Sequence, residues 1–206
     1  MALSVLHPKT SLMSQLILGQ ILEFTANPMA GAPEAAARHT RSGAILVEAG
    51  KISALGDAET LRQAHPAVAV LDLSPHLILP GFIDSHAHYP LTGIIASWGR
   101  RLIDWLITYT FPEELRFHDQ AYATEVAELY LDLNLRHGIT TAATYCTSHP
   151  ESVDAIFSAA AKRGLAHVAG KVMMDRNAPA ALCDTAARGF EESKALLARW
   201  HGTGRL

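Results

Sequence analysis

Leu77-Ile78-Leu79-Pro80-Gly81-Phe82-Ile83-Asp84-Ser85-His86-Ala87-His88 is the stretch whose reading decides the fold. It reads as a buried strand that ends in two histidines one residue apart. Strand side chains alternate between faces, so His86 and His88 are expected to point the same way, roughly 6.6 Å apart along the backbone. Two imidazoles so placed can tilt onto one metal ion at metal–nitrogen distances of about 2.0–2.1 Å. Asp84 falls on the same face by this alternation. There it can orient a ligand histidine or bond the neighbouring backbone. The pair alone is weak, because 11 histidines in 206 residues supply about 0.6 H-x-H pairs by chance. Context strengthens it: an apolar run, a Pro80-Gly81 bend that lets backbones approach, then polar residues arriving together at the strand's exit.

Upstream, residues 1–15 read as a loose lead-in. Residues 16–24 (LILGQILEF) read as a strand bent at Gly19, and residues 25–42, rich in Ala, Pro and Gly, as a loop. Residues 43–48 and 52–56 form a hairpin about Ala49-Gly50-Lys51. A short helix over 57–65 and a strand over 68–73 complete a small N-terminal β domain, expected as a β-sandwich unit over residues 1–75.

Downstream the pattern changes. A connection of about 30 residues runs from Tyr89 to His118, far beyond the usual βα loop of about two to six, and such loops tend to be functional. It holds a short apolar helix over 102–107 and the aromatics Tyr109, Phe111 and Phe117. A helix then begins at Asp119 with Val126, Leu129, Tyr130 and Leu133 at helical spacing, and Gly138 caps it. Residues 139–145 (ITTAATY) are a strand. Ser148-His149-Pro150-Glu151 has capping-box spacing, and its helix runs to Arg163, stopped by Gly164. Residues 166–174 (AHVAGKVMM) are a strand, with Lys171 inside it, and a third helix runs from Asp184 or Thr185 to about Trp200.

Alternating strands and helices imply parallel strands with right-handed crossovers. Polar residues gather where strands end: His86 and His88, then Tyr145 to His149, then Met173 to Asp175. No G-x-G-x-x-G follows the first strand, which weighs against a dinucleotide fold. The expected fold class is therefore α/β, the first three βα units of a (β/α)8 TIM-type barrel over residues 76–206. Three parallel strands cannot close a barrel, so the 206 residues are expected to be the first part of a longer protein.

Composition bounds the rest. Hydrophobic residues make up 49% and charged residues 18%, which argues for a packed core and against disorder. A formal charge of -3 gives no electrostatic case for nucleic acid or anionic membrane as partner. Cys146 and Cys183 form no C-x-x-C, so neither a disulfide framework nor a cysteine zinc site is expected, which suits a reducing cytoplasm. No signal peptide and no apolar run of about 18 residues are visible.

The segment from Pro80 to His88, following a small β unit, resembles the amidohydrolase superfamily of metal-dependent hydrolases. Residues 102–114 (LIDWLITYTFPEE) are similar to the segment that follows H-x-H in the guanine deaminase family, and Gly138-Ile139-Thr140-Thr141 and residues 170–175 (GKVMMD) are similar to its later segments. The resemblance runs from about residue 16 to the end. It implies hydrolysis of guanine to xanthine and ammonia, with one zinc ion making water nucleophilic near neutral pH. His86 and His88 would be metal ligands. His88, Tyr89, Pro90 and Leu91 would form the first substrate-contacting segment, and Trp105 an apolar wall for the purine. A carboxylated lysine is a ligand in some two-metal relatives, but the resemblance implies a one-metal site, so Lys171 is not expected to bind metal. His149 is expected to cap its helix or face solvent, and Asp175 to support the site from the strand end. A homodimer is the expected assembly, because the long loop exposes aromatic residues.

Two departures qualify the resemblance. The family carries Gln where this chain has Leu91, and an unpaired edge on a buried purine would cost about 1–3 kcal/mol. The family's other ligands and its acid–base residue fall beyond Leu206, so no catalytic residue is assigned within the chain. Two histidines are too few for a catalytic zinc, which takes about three protein ligands. This chain alone is expected neither to hold zinc tightly nor to turn over guanine. The alternatives are an amidohydrolase for another cyclic amidine or amide, and a non-catalytic remnant.

Overall fold

The structure, a computed structural model, describes residues 14–204; the lead-in expected over residues 1–15 lies almost wholly outside them. The chain divides into two compact units, Met1–Pro80 and Gly81–Leu206.

The first unit is one four-stranded sheet with a helix. Its strands are β1 (Gln15–Phe24), β2 (Ala37–Glu48), β3 (Lys51–Asp57) and β4 (Ala69–Ile78), in the order β3-β2-β1-β4. β1 runs antiparallel to β2 and parallel to β4. Leu16, Leu18, Ala44 and Leu46 form its core, with Leu61 and Val68 packed against them. Helix α1 (Ala58–Ala64) starts at Asp57, whose carboxylate accepts from the Thr60 amide at 3.0 Å. The hairpin loop has positive φ at both Ala49 (51°) and Gly50 (73°), the backbone that suits the strands' right-handed twist. Gly19 sits at the expected irregularity of β1, where a Cβ would run into the Ile78 side chain. Two expectations change. β2 begins at Ala37 rather than residue 43, because backbone pairing to Phe24 and Glu23 holds a polar segment that shows no apolar alternation. The described residues of this unit also form a single sheet, not two facing ones.

The opening stretch is not one buried strand. β4 ends at Ile78 in the first sheet, and β5 (Phe82–His88) begins a second one. Pro80 interrupts the ladder because it lacks an N–H. β5 is an edge strand, so Phe82 and Ile83 are exposed.

The second unit pairs β5, β6 (Ile139–Tyr145) and β7 (Ala166–Gly170) in parallel, in that order. Between β5 and β6 lie a 3-10 turn (Tyr89–Ile94), α2 (Leu102–Trp105), a π-helical turn (Leu106–Thr110), α3 (Phe111–Leu115) and α4 (Gln120–Arg136). α5 (Pro150–Arg163) links β6 to β7, and α6 (Ala186–Trp200) follows. The buried face of α4 is Ala123, Val126, Ala127, Tyr130 and Leu131. It packs with Val153, Ile156, Ala159 and Ala160 of α5. The expected face included Leu129, which is exposed; the small side chains of Ala123 and Ala127 are on the buried face instead.

α5 starts without the expected capping box. His149 is its N-cap and makes no side-chain cap bond. Ser152 closes the turn instead, its hydroxyl donating to the His149 carbonyl at 2.6 Å and accepting from the Thr147 amide at 3.0 Å. The helix ends at Gly164 with φ 63°. No described helix is long and apolar enough to cross a membrane.

α3 buries two adjacent acids. Glu113 pairs with Arg116 at 3.1 Å and accepts from the Tyr122 hydroxyl. Burial pushes the Glu114 carboxyl up to about 7 from 4.5. A raised carboxyl favours the protonated fold, so its stabilising share is full below about pH 4.5 and is lost as pH rises through about 7. Glu114→Gln is expected to flatten that decline, by on the order of 3 kcal/mol at pH 8. Urea melts at pH 5 and pH 8 check this, and an equal pH dependence in both proteins refutes it.

Candidate functional site

His86 and His88 sit at the carboxyl end of β5, with ring centroids 5.3 Å apart and planes at 60°. The β5–β6 register places Tyr145, the last residue of β6, opposite His88. Its ring stacks on His88 at 4.8 Å and 17° and lies 5.3 Å from His86. Burial first, then the neighbouring His86, pull the His88 imidazole below its usual range. His88 is thus biased toward the neutral ring, the form that binds metal.

Asp84 leaves the alternation that sequence assigned to it. The β5–β6 register slips between Asp84 and Ala87, a bulge that resets which face a side chain takes. Asp84 accepts the His86 amide at 3.0 Å, the backbone role of the two open to it. The Tyr130 phenol of α4 is raised mainly by burial, with the Asp84 charge adding to it.

The donor chemistry fits zinc in part. Two imidazoles from one strand end suit it, but among the described residues no group of three or more His, Cys, Asp or Glu gathers to hold an ion.

The proposed substrate segment divides. Tyr89 and Pro90 are buried. Tyr89 is 0% exposed; its hydroxyl donates to the Ser152 carbonyl at 2.5 Å and its amide to the Thr144 hydroxyl at 3.0 Å. Leu91 is half-buried. The Trp105 indole N–H donates to the Ser97 hydroxyl at 2.8 Å, and a Cβ at Gly99 would collide with Trp105. The indole thus ties down its own loop, where Ala96 takes a φ of 64°.

Lys171 is not inside a strand. β7 ends at Gly170, and the Lys171 side chain is wholly buried beyond it. Its ammonium donates to the Ser148 carbonyl at 2.6 Å and pairs with Asp184 at 2.7 Å and Glu192 at 3.1 Å. An ammonium so engaged is not a metal ligand. His149 leaves its Nε2 buried without a hydrogen-bond partner among the described residues and lies 6.1 Å from the His118 ring. Asp175 is exposed and pairs with Arg176 at 2.8 Å. A cavity of about 640 Å³ between α5, β7 and α6 is lined by neither His86 nor His88.

Residues 77–203 match the amidohydrolase family. The chain belongs to that family. Residues 43–67 match an imidazolonepropionase-like composite domain of bacteria. The guanine deaminase of Escherichia coli (strain K12) is 43% identical over 172 residues, 83% of this chain and 39% of that protein. A solved structure of E. coli guanine deaminase superposes with a TM-score of 0.87 at 39% identity, over 93% of this chain and 45% of the other. Guanine deaminase from C. acetobutylicum, solved with guanine bound in its active site, gives 0.77 at 25% identity, over 93% and 44%. The chain thus spans less than half the length of these amidohydrolase relatives.

Tyr145 was placed at a strand end by the sequence but given no role there. Its signal was present, an aromatic closing the strand that must pair beside H-x-H, but the register is set only when β5 and β6 meet.

Proposed function

We propose that this chain supplies the first part of a zinc-dependent guanine deaminase active site. The observation that carries the reading is the His86–His88 pair at the carboxyl end of the first of three parallel strands, where α/β folds build their sites. The sequential order β5-β6-β7 supports a (β/α)8 barrel, since a doubly wound sheet reverses direction at a switch point. His86 and His88 would hold the ion, which when bound supplies Lewis acidity that makes water nucleophilic near pH 7. The third ligand and the acid–base group would come from outside these 206 residues. Leu91 and Trp105 would flank the purine, with Tyr89 and Pro90 supporting that segment from the core. Exposed Trp98, Leu102 and Ile103 support a homodimer, and the free thiols of Cys146 and Cys183 support a cytoplasmic location.

A second reading rests on Leu91, whose side chain cannot hydrogen-bond a base edge: the substrate is then another cyclic amidine or amide. Ammonia release is the test, on a protein extended to the relatives' length and supplied with guanine, related purines and cyclic amides. Release from guanine that His86→Ala and His88→Ala both abolish is the expected result. Release from a different ring alone selects the second reading, and none from any substrate overturns both. Residues 1–206 alone are expected to release none, and turnover by them would refute the shared-ligand reading.

A further inference from the structure

Ligand histidines are normally oriented by a hydrogen bond from the ring nitrogen that faces away from the metal, to a carboxylate or carbonyl. His86 and His88 show no such bond among the described residues: the Asp84 carboxylate meets His86 through its backbone amide, not through its ring. What touches both rings is Tyr145. We propose that Tyr145 is the positioning residue of this histidine pair, fixing the plane of the His88 imidazole by stacking rather than by hydrogen bonding. This rests on the reading of His86 and His88 as metal ligands.

Tyr145 is well placed to do so. Its backbone is held on both sides, by His88 of β5 and Gly170 of β7. Gly170 presents no side chain, so the Tyr145 ring has its neighbours on the β5 side. The preceding residue, Thr144, secures the junction: its hydroxyl donates to the Ala87 carbonyl at 3.3 Å and accepts from the Tyr89 amide at 3.0 Å. The ring itself is 48% exposed, so it is not buried to fill a core. A stacked aromatic pair biases a rotamer by roughly two- to tenfold. Because stacking leaves both His88 ring nitrogens uncommitted, either remains available to an ion.

The test uses this chain with Tyr145→Phe and Tyr145→Leu. Without metal, the His88 ring protons are expected to carry an upfield ring-current shift and nuclear Overhauser contacts to the residue-145 ring, in wild type and Tyr145→Phe alike. Tyr145→Leu should lose both. In the protein extended to the relatives' length and titrated with Zn2+ alone, Tyr145→Phe should bind within about twofold of wild type and Tyr145→Leu about tenfold more weakly. An unshifted His88 in the wild-type chain overturns the proposal without any variant. Equal Zn2+ affinity in the Phe and Leu variants also overturns it. An extended protein that binds no Zn2+, in a series where Tyr145→Leu still loses the ring shift, supports the orienting role and fails the metal reading instead.

Discussion

Lys171→Met is expected to lower the stability of this chain by about 3–5 kcal/mol, because removing one partner of a buried ion pair strands the other. The Asp184 side chain is 2% exposed and that of Lys171 0%. Arg188 also holds Asp184, at 3.0 Å, and donates to the Cys183 carbonyl at 2.6 Å. The cluster thereby ties the segment after β7 to the loop that opens α5. Burial alone would raise the Asp184 carboxyl, yet hydrogen bonds from Lys171 and Arg188, and their charges, hold it below the usual range. A depressed carboxylate stabilises the fold fully above its unfolded pKa of about 3.9, and that share is lost as pH falls through the folded value. Wild type should therefore lose this share only under acid, whereas Lys171→Met should lack much of it at pH 7. Urea midpoints at pH 7 and pH 3.5 check both statements. A Lys171→Met protein as stable as wild type at pH 7 would show that the cluster contributes nothing.

Tyr89→Ala is expected to cost about 3–5 kcal/mol, the usual penalty for emptying a buried aromatic site. Its ring meets Phe117 edge-on at 5.6 Å and Tyr130 at 6.0 Å, at the centre of the α4–α5 core. Tyr89→Phe removes only the bond to the Ser152 carbonyl and should cost about 1 kcal/mol. Guanidinium melts of the two variants give both values. If Tyr89→Phe in the extended protein raised the KM for guanine while leaving the melt unchanged, the hydroxyl would belong to the substrate side and the core role would fall.

Much of the second unit was legible because its signals are local. Gly138 and Gly164 ended their helices as expected, since both take the positive φ that glycine adopts without strain. The H-x-H pair was legible for the same reason, two residues on one strand. What sequence misplaced depends on partners distant in the chain. Asp84 changes surroundings because β5 bulges against β6. Lys171 sits among apolar residues and so reads as strand, but Asp184 and Glu192, 13 and 21 positions on, draw it out of the ladder. Residues 77–79 read as the histidine strand's core, yet β1 claims Leu77 and Ile78 for the first sheet through the pairs Gln20–Leu77 and Ile21–Ile78.

The parallel pairing of β5 with β6 also sets when the site can form. Ala87 and Thr144, which bond across the two strands, are 57 residues apart in the chain, and such long loops must close before any contact rewards them. Chains lengthen at roughly 5–20 residues per second during synthesis. His86 and His88 thus exist for about 3–11 s before the Tyr145 ring that stacks on them has been made. For that interval the β6 strand that pairs with them does not exist, so the histidine site cannot take its folded geometry during that stretch of synthesis.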